Sequence, residues 1–267
     1  AAYAKAEGSD LQQFANFDEE AQRLLEGGET AKTRPAENSR WFSETAAGIN
    51  AQIAEAEKCI GNHRNKEFES TVTDLKILTN LALYHARRIP AAASYRLFER
   101  TQDPKAFDDA IAYERSAIEA WRQLVAAAGD FYTEDLMMGV RGASLCGHWK
   151  DELVALEKGL NSLERQRSEF RPAGGIKPAP RYTTAASLGD HEPPSVAHRP
   201  VTTASAGKPL SITADVRDPS GVKWVRLRYR SVNQHQDYRT LPMLPTGAPD
   251  QYRAVIPTEH IVPQWDL

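Results

Sequence analysis

The period of the apolar residues changes once along this chain, and the change coincides with a proline-rich stretch. Up to Phe170 the apolar positions recur with helical spacing, and from Lys208 they alternate one by one with polar residues. Between the two lie Pro172, Pro178, Pro180, Pro193, Pro194 and Pro200, interleaved with glycine, serine, threonine and alanine. Proline lacks the N–H that helices and sheet ladders require, so a run this rich in it interrupts both. The chain therefore reads as an antiparallel α-helical bundle over 1–170, a proline-stiffened linker over 171–206 and a β region over 207–267. A stretch of this length marks a domain boundary or a strap lying across both domains.

Within the first part, Asp10 and Asp18 are read as starts of short helices carrying Leu11, Phe14, Phe17, Ala21 and Leu25. A helix over 36–61 follows from the stripe Phe42, Ala46, Ile49, Ile53, Ala56 and Ile60, with Gly61 as its stop. The next spans 66–89, burying Phe68, Val72, Leu75, Leu78, Leu81 and Tyr84, with Pro90 expected to end or kink it and 91–100 continuing as a turn or two. Asp103-Pro104 is an N-cap followed by a first-turn proline, opening a helix with Phe107, Ile111, Ile118, Trp121 and Leu124 that ends near Gly129. Residues 130–139 read as a short helix or loop, and 147–170 as a last helix striped by Trp149, Leu153, Leu156, Leu160 and Leu163.

In the last part, Leu210, Ile212, Ala214 and Val216 alternate with polar residues, and the turn Asp218-Pro219-Ser220-Gly221 leads into a second run from Val222 to Val232. Shorter runs cover 238–244 and 252–256. That makes roughly four strands, where an immunoglobulin-like sandwich needs about seven. The expectation is an incomplete immunoglobulin-like β-sandwich, in a piece of a larger protein that opens without an initiator methionine and closes on Trp265-Asp266-Leu267.

Composition narrows the function classes. No apolar run approaches the ~20 residues of a membrane span. Residues 1–169 carry 28 acidic and 21 basic side chains, residues 170–267 carry 8 and 12, so −7 faces +4. Opposite signs attract two domains or draw an anionic partner, but without a dense Lys/Arg cluster no nucleic-acid partner is expected. The two cysteines, Cys59 and Cys146, are read as unbonded, buried and inert rather than as a disulfide. The histidines His63, His85, His148, His191, His198, His235 and His260 show no ligand spacing on one helix, so neither metal nor cofactor is expected. The carboxylate pairs Glu19-Glu20, Asp108-Asp109 and Asp151-Glu152 point apart on helices and are read as solvated faces, which leaves no catalytic residue to nominate.

One strand carries a patterned surface. Along 222–232, Val225, Leu227 and Tyr229 face one way, and Trp224, Arg226, Arg228 and Arg230 the other. An aromatic followed by alternating arginines suits stacking on a sugar or pairing with carboxylates, with Tyr238 and Arg239 extending the surface. The competing reading pairs these arginines with acidic residues of the same protein. In the helical part, His148-Trp149 before the last helix is a candidate interdomain surface, against the plainer reading of a capping histidine and a core tryptophan. Tyr132 and Leu136-Met137-Met138 read as core or interface filler.

Two stretches resemble known families. Asp74 to Leu78, Tyr84-His85-Ala86-Arg87-Arg88, Ala117 to Gly129, Tyr132 and Gly147-His148-Trp149 resemble the helical region behind the catalytic barrel of large bacterial glycosidase-like proteins, alpha-glucuronidase-like and beta-hexosaminidase-like. Asp218-Pro219-Ser220-Gly221-Val222 through Tyr229-Arg230, and Tyr252 to Pro257, resemble fibronectin-III or immunoglobulin-like modules of secreted bacterial enzymes. The resemblance implies a non-catalytic accessory region of an extracellular or periplasmic carbohydrate-active protein. Its partners would be a missing catalytic domain, a chain completing the sandwich, or polysaccharide. An independent glycan-binding module and a structural or adhesive surface protein are the alternatives.

Overall fold

The computed structural model describes residues 3–6, 10–11, 13–28, 30, 32–137, 139, 142, 146–172, 178–183, 193–219, 221–232 and 235–262. Among the described residues the fold is mixed α and β, with five α-helices and a curled five-stranded antiparallel sheet. It divides into two units, Ala1–Ala186 and Ser187–Leu267.

In the first unit, helix α1 spans Phe17–Glu26, and its cap is Asn16 rather than Asp10 or Asp18. The Asn16 side chain accepts from the Asp18 and Glu19 amides while the Glu19 carboxylate accepts from the Asn16 amide, a reciprocal box that satisfies otherwise orphaned donors. Asp10 caps only a turn, accepting from the Gln13 amide. Helix α2 spans Pro35–Ile60 and stops at Gly61, whose φ of 54° is cheap only without a Cβ. Its stripe is buried at Ala46 and Ile53 and exposed by Ala56. Helix α4 spans Pro104–Ala128, capped by Asp103 and closed at Gly129, and α5 spans Trp149–Glu169.

Helix α3, Lys66–Thr101, continues through Pro90, so the proline does not end it. An interior proline removes the donor that the carbonyl four residues earlier needs, here Ala86. The structure supplies another: the hydroxyl of the fully buried Ser39 on α2 donates to the Ala86 carbonyl at 2.6 Å. Ser39→Ala is therefore expected to destabilise the helical unit by about 1–3 kcal/mol, the cost of an unsatisfied buried acceptor. Urea titration followed by helical circular dichroism measures it, and an unchanged midpoint would show that the carbonyl is satisfied some other way.

Helix α3 packs against α1, α2 and α4, and α4 packs against α5. Because α3 is covered from several sides, its inward phase differs from a single stripe. Ile77 and Thr79 are buried, while Leu78 stands 55% exposed. One apolar cluster gathers Ala21, Ala93, Leu97, Phe98, Phe107 and Ile111, the other Ile77, Tyr84, Ile118, Trp121, Leu124 and Leu156. Where a short helix or loop was expected over 130–139, the described residues include β1, Leu136–Met137, which pairs with β2, Cys146–Gly147. Met138 lies outside the described residues, and Met137 is 61% exposed rather than filler.

Two parts of the proline-rich stretch carry packed structure. Residues 178–183 lie on the helical unit. The Ala179 amide donates to Asp103 at 2.7 Å, Arg181 pairs with Asp109 at 3.0 Å, and the Tyr113 hydroxyl donates to the Tyr182 carbonyl at 3.3 Å. The Tyr182 ring is 3% exposed within the first apolar cluster. Further on, Ser195–His198 forms β3, antiparallel to β4, Leu210–Arg217.

The second unit completes its sheet with β5, Val225–Tyr229, β6, Arg239–Pro245, and β7, Gln251–Ile256, in the order β3-β4-β7-β6-β5. The last three form a meander and β4 returns beside β7, the arrangement of a Greek key. Ala214, Val216, Met243 and Ala254 form the buried face, joined by Ile212, Val225, Leu227 and Leu241. Trp265-Asp266-Leu267, on which the sequence closes, lies outside the described residues.

Candidate functional site

Register places the patterned strand at an edge of the sheet. Val225, Leu227 and Tyr229 stand opposite Met243, Leu241 and Arg239 across the β5–β6 pair, and the first two enter the core. Arg226 and Arg228 stand opposite Pro242 and Thr240 on the other face. Alternation alone thus separates a core row from a cationic row, as the sequence indicated.

The rings join this row. The Arg226 guanidinium lies 4.6 Å from the ring centre of Trp224, which is 46% exposed. Arg228 and Arg230 both lie over Tyr238, at 4.9 and 4.5 Å, and that ring is 40% exposed. These are cation–π distances, worth about 0.5–1 kcal/mol each at an exposed site. The sequence had left open whether acidic neighbours neutralise the row. Among the described residues no ion pair is recorded for Arg226 or Arg230, although one Arg230 N–H reaches the Gln236 carbonyl at 3.5 Å. Asp250 of the same unit is engaged with Arg217 at 3.0 Å.

Arg239 departs from the expectation that it extends this surface. It occupies the opposite face of β6, where its guanidinium donates to Nε2 of His260. Nδ1 of the same ring lies 2.6 Å from the Tyr229 hydroxyl. Burial raises the pKa of the Tyr229 hydroxyl above its ordinary range, with the Arg239 charge opposing. The excess of positive charge is local: residues 187–267 hold 9 basic and 8 acidic side chains.

His148 and Trp149 are placed inside the helical unit. His148 is 6% exposed and caps α5, its Nδ1 accepting from the Lys150 amide at 3.1 Å while its own amide donates to Asp151 at 2.9 Å. Trp149 packs edge-on to Tyr132 at 5.5 Å, and its carbonyl accepts from the Trp121 indole at 2.9 Å. Tyr132 in turn bonds Asp74. These are the positions of a cap and a core residue. No disulfide joins the cysteines, and Cys59 is exposed on α2, not buried.

Two buried polar clusters were not visible in the sequence. Glu20 was read as part of a solvated face, yet it is fully buried, and Arg23 and Arg34 each clasp its carboxylate through two bonds of 2.8–3.3 Å. Burial pushes its carboxyl up, but the two guanidinium contacts outweigh this and hold it below the usual range. The other acidic pairs are also engaged: Asp108 by Arg167, Asp109 by Arg181 and Asp151 by the cap of α5.

The second cluster surrounds a cavity of about 30 Å³ lined by Tyr3, Arg88, Tyr95, Glu114 and Leu163. Burial raises the carboxyl of Glu114 against the opposing Arg88, 3.4 Å away, and raises Tyr3 to about 12. The Arg88 guanidinium lies over the Tyr3 and Tyr84 rings at 4.6 and 5.2 Å. Burial also lowers His85, which bonds the Tyr3 hydroxyl at 3.2 Å. A volume of that size suits a water molecule, not an organic substrate. Among the described residues no group of His, Cys, Asp or Glu is arranged to hold a metal ion, and no helix is long and apolar enough to cross a membrane.

No family model, curated protein or solved structure matches this chain.

Proposed function

We propose that the chain is a non-catalytic accessory region of a larger, exported carbohydrate-active protein, and that its sheet unit holds glycan on the outer face of β5 and β6. In this reading the helices are an antiparallel bundle that supports a catalytic domain, and the sheet belongs to an immunoglobulin-like sandwich. The observation that carries the reading is the surface of Trp224 and Tyr238 with Arg226, Arg228 and Arg230 stacked on them. An exposed ring offers an apolar face to the C–H side of a sugar, and the adjoining N–H donors suit its oxygens. The resemblance of two stretches to glycosidase-associated regions points the same way.

Affinity electrophoresis of the full chain through gels containing neutral or acidic polysaccharides tests it. Trp224→Ala is expected to weaken retention about tenfold, equivalent to the ~1.4 kcal/mol of one ring contact, without moving the melting of the sheet. Retention that Trp224→Ala leaves unchanged would remove this face as the binding site.

A further inference from the structure

We propose that the site filled by residues 178–183 on the helical unit is a peptide-binding site occupied in cis. Its exchangeable occupant is an extended segment in which arginine is followed by an aromatic residue. The inference is independent of the glycan reading of the sheet unit.

Three features lead there. First, residues 178–183 belong to no helix or strand, yet they are held as a bound peptide is held. Their contacts climb α4 in chain order: the Ala179 amide on Asp103, Arg181 on Asp109, the Tyr182 carbonyl on the Tyr113 hydroxyl. The two backbone bonds suit many sequences, whereas the Tyr182 pocket and the Asp109 carboxylate select an aromatic residue preceded by a cation. These partners lie 69–76 residues away along the chain, so the segment docks by recognition rather than by local geometry. Second, the charges are complementary. Residues 171–183 carry Arg171, Lys177 and Arg181 with no acidic side chain, against a balance of −7 over 1–169. Third, the fit is incomplete. The Tyr182 ring is 3% exposed, but its hydroxyl is buried without a hydrogen-bond partner among the described residues. Docking strips that hydroxyl of water and release restores it, which lowers the cost of leaving. Such a segment opens before the helices that hold it.

The experiment adds a synthetic peptide of residues 176–185 to the full chain with positions 178–183 replaced by glycine and serine, which empties the site. The peptide is expected to bind and to raise the melting temperature of that variant. A Tyr182→Phe peptide is expected to bind about fivefold more tightly, since it buries no unpaired hydroxyl, and a Tyr182→Ala peptide at least tenfold more weakly. Should the replaced chain not fold, Arg181→Glu in the full chain weakens the resident segment without touching the site, because that side chain is 65% exposed. This variant is expected to bind the peptide about fivefold more tightly than the parent does. Equal binding of the tyrosine and alanine peptides would overturn the proposal, since charge alone would then hold them. Binding to neither variant would also overturn it, and residues 178–183 would be a permanent part of the helical core.

Discussion

Tyr182→Ala is expected to destabilise the helical unit by about 4 kcal/mol, the loss typical of a large aromatic removed from a core. The ring is 3% exposed and packs with Ala21, Leu97, Phe98 and Phe107, so its removal leaves a void that those helices cannot readily close. Tyr182→Phe carries the opposite sign. The buried hydroxyl has no hydrogen-bond partner among the described residues, and burial raises its pKa. Removing an unsatisfied polar atom while keeping the ring is expected to be neutral or stabilising by about 1 kcal/mol. Urea melts of the full chain, followed by helical circular dichroism, read both. A mild alanine variant would mean that residues 178–183 merely rest on the helices. A destabilised phenylalanine variant would mean that the hydroxyl has found a donor or acceptor.

Glu20→Gln is expected to cost about 3 kcal/mol at neutral pH, because it leaves Arg23 and Arg34 facing an uncharged amide. The figure sits at the lower end for a broken buried pair, since the two arginine side chains remain 20% and 16% exposed to water. The pH dependence follows from the sign of the shift. The folded carboxyl is held below the ordinary 4.5, so its contribution is present above that value and disappears as pH falls through the folded pKa. Glu114 behaves oppositely: burial raises it, so its linkage favours folding at low pH and is lost as pH rises through its folded value. Glu20→Gln should therefore flatten the acid limb of the stability profile, and Glu114→Gln should steepen it. Parallel profiles for the parent and Glu20→Gln would show that the carboxylate is not stabilised by its two arginines.

The candidate surface was largely legible before any coordinates, because it depends on alternation within one strand. Trp224, Arg226, Arg228 and Arg230 share a face by period alone, and the β5–β6 register agrees for Arg226 and Arg228. What the sequence did not contain is which ring each guanidinium meets. Tyr238 approaches Arg228 and Arg230 through the loop that returns to β6, whereas the very next residue, Arg239, turns to the other face toward His260. The buried carboxylates were illegible for a related reason. Glu20 and Glu114 look like ordinary surface acids until Arg34 and Arg88 are brought to them from other elements.

The sequence by itself determined the features that local rules govern: the long helices with their stops at Gly61 and Gly129, the Asp103-Pro104 start, the strands and their two-faced alternation. Each depends on residues a few positions apart, within one turn or one pleat. Tertiary structure alone decided the continuation of α3 through Pro90, the burial of Glu20, the place of Tyr182 in the helical core and the pairing of β3 with β4. In each of these a group that is costly or marginal on its own is satisfied by a partner far along the chain: Ser39 serves Ala86, Arg34 serves Glu20, and Tyr113 and Asp103 hold the segment of Tyr182. Periodicity and propensity carry no information about such partners, since the contact exists only after the helices have packed.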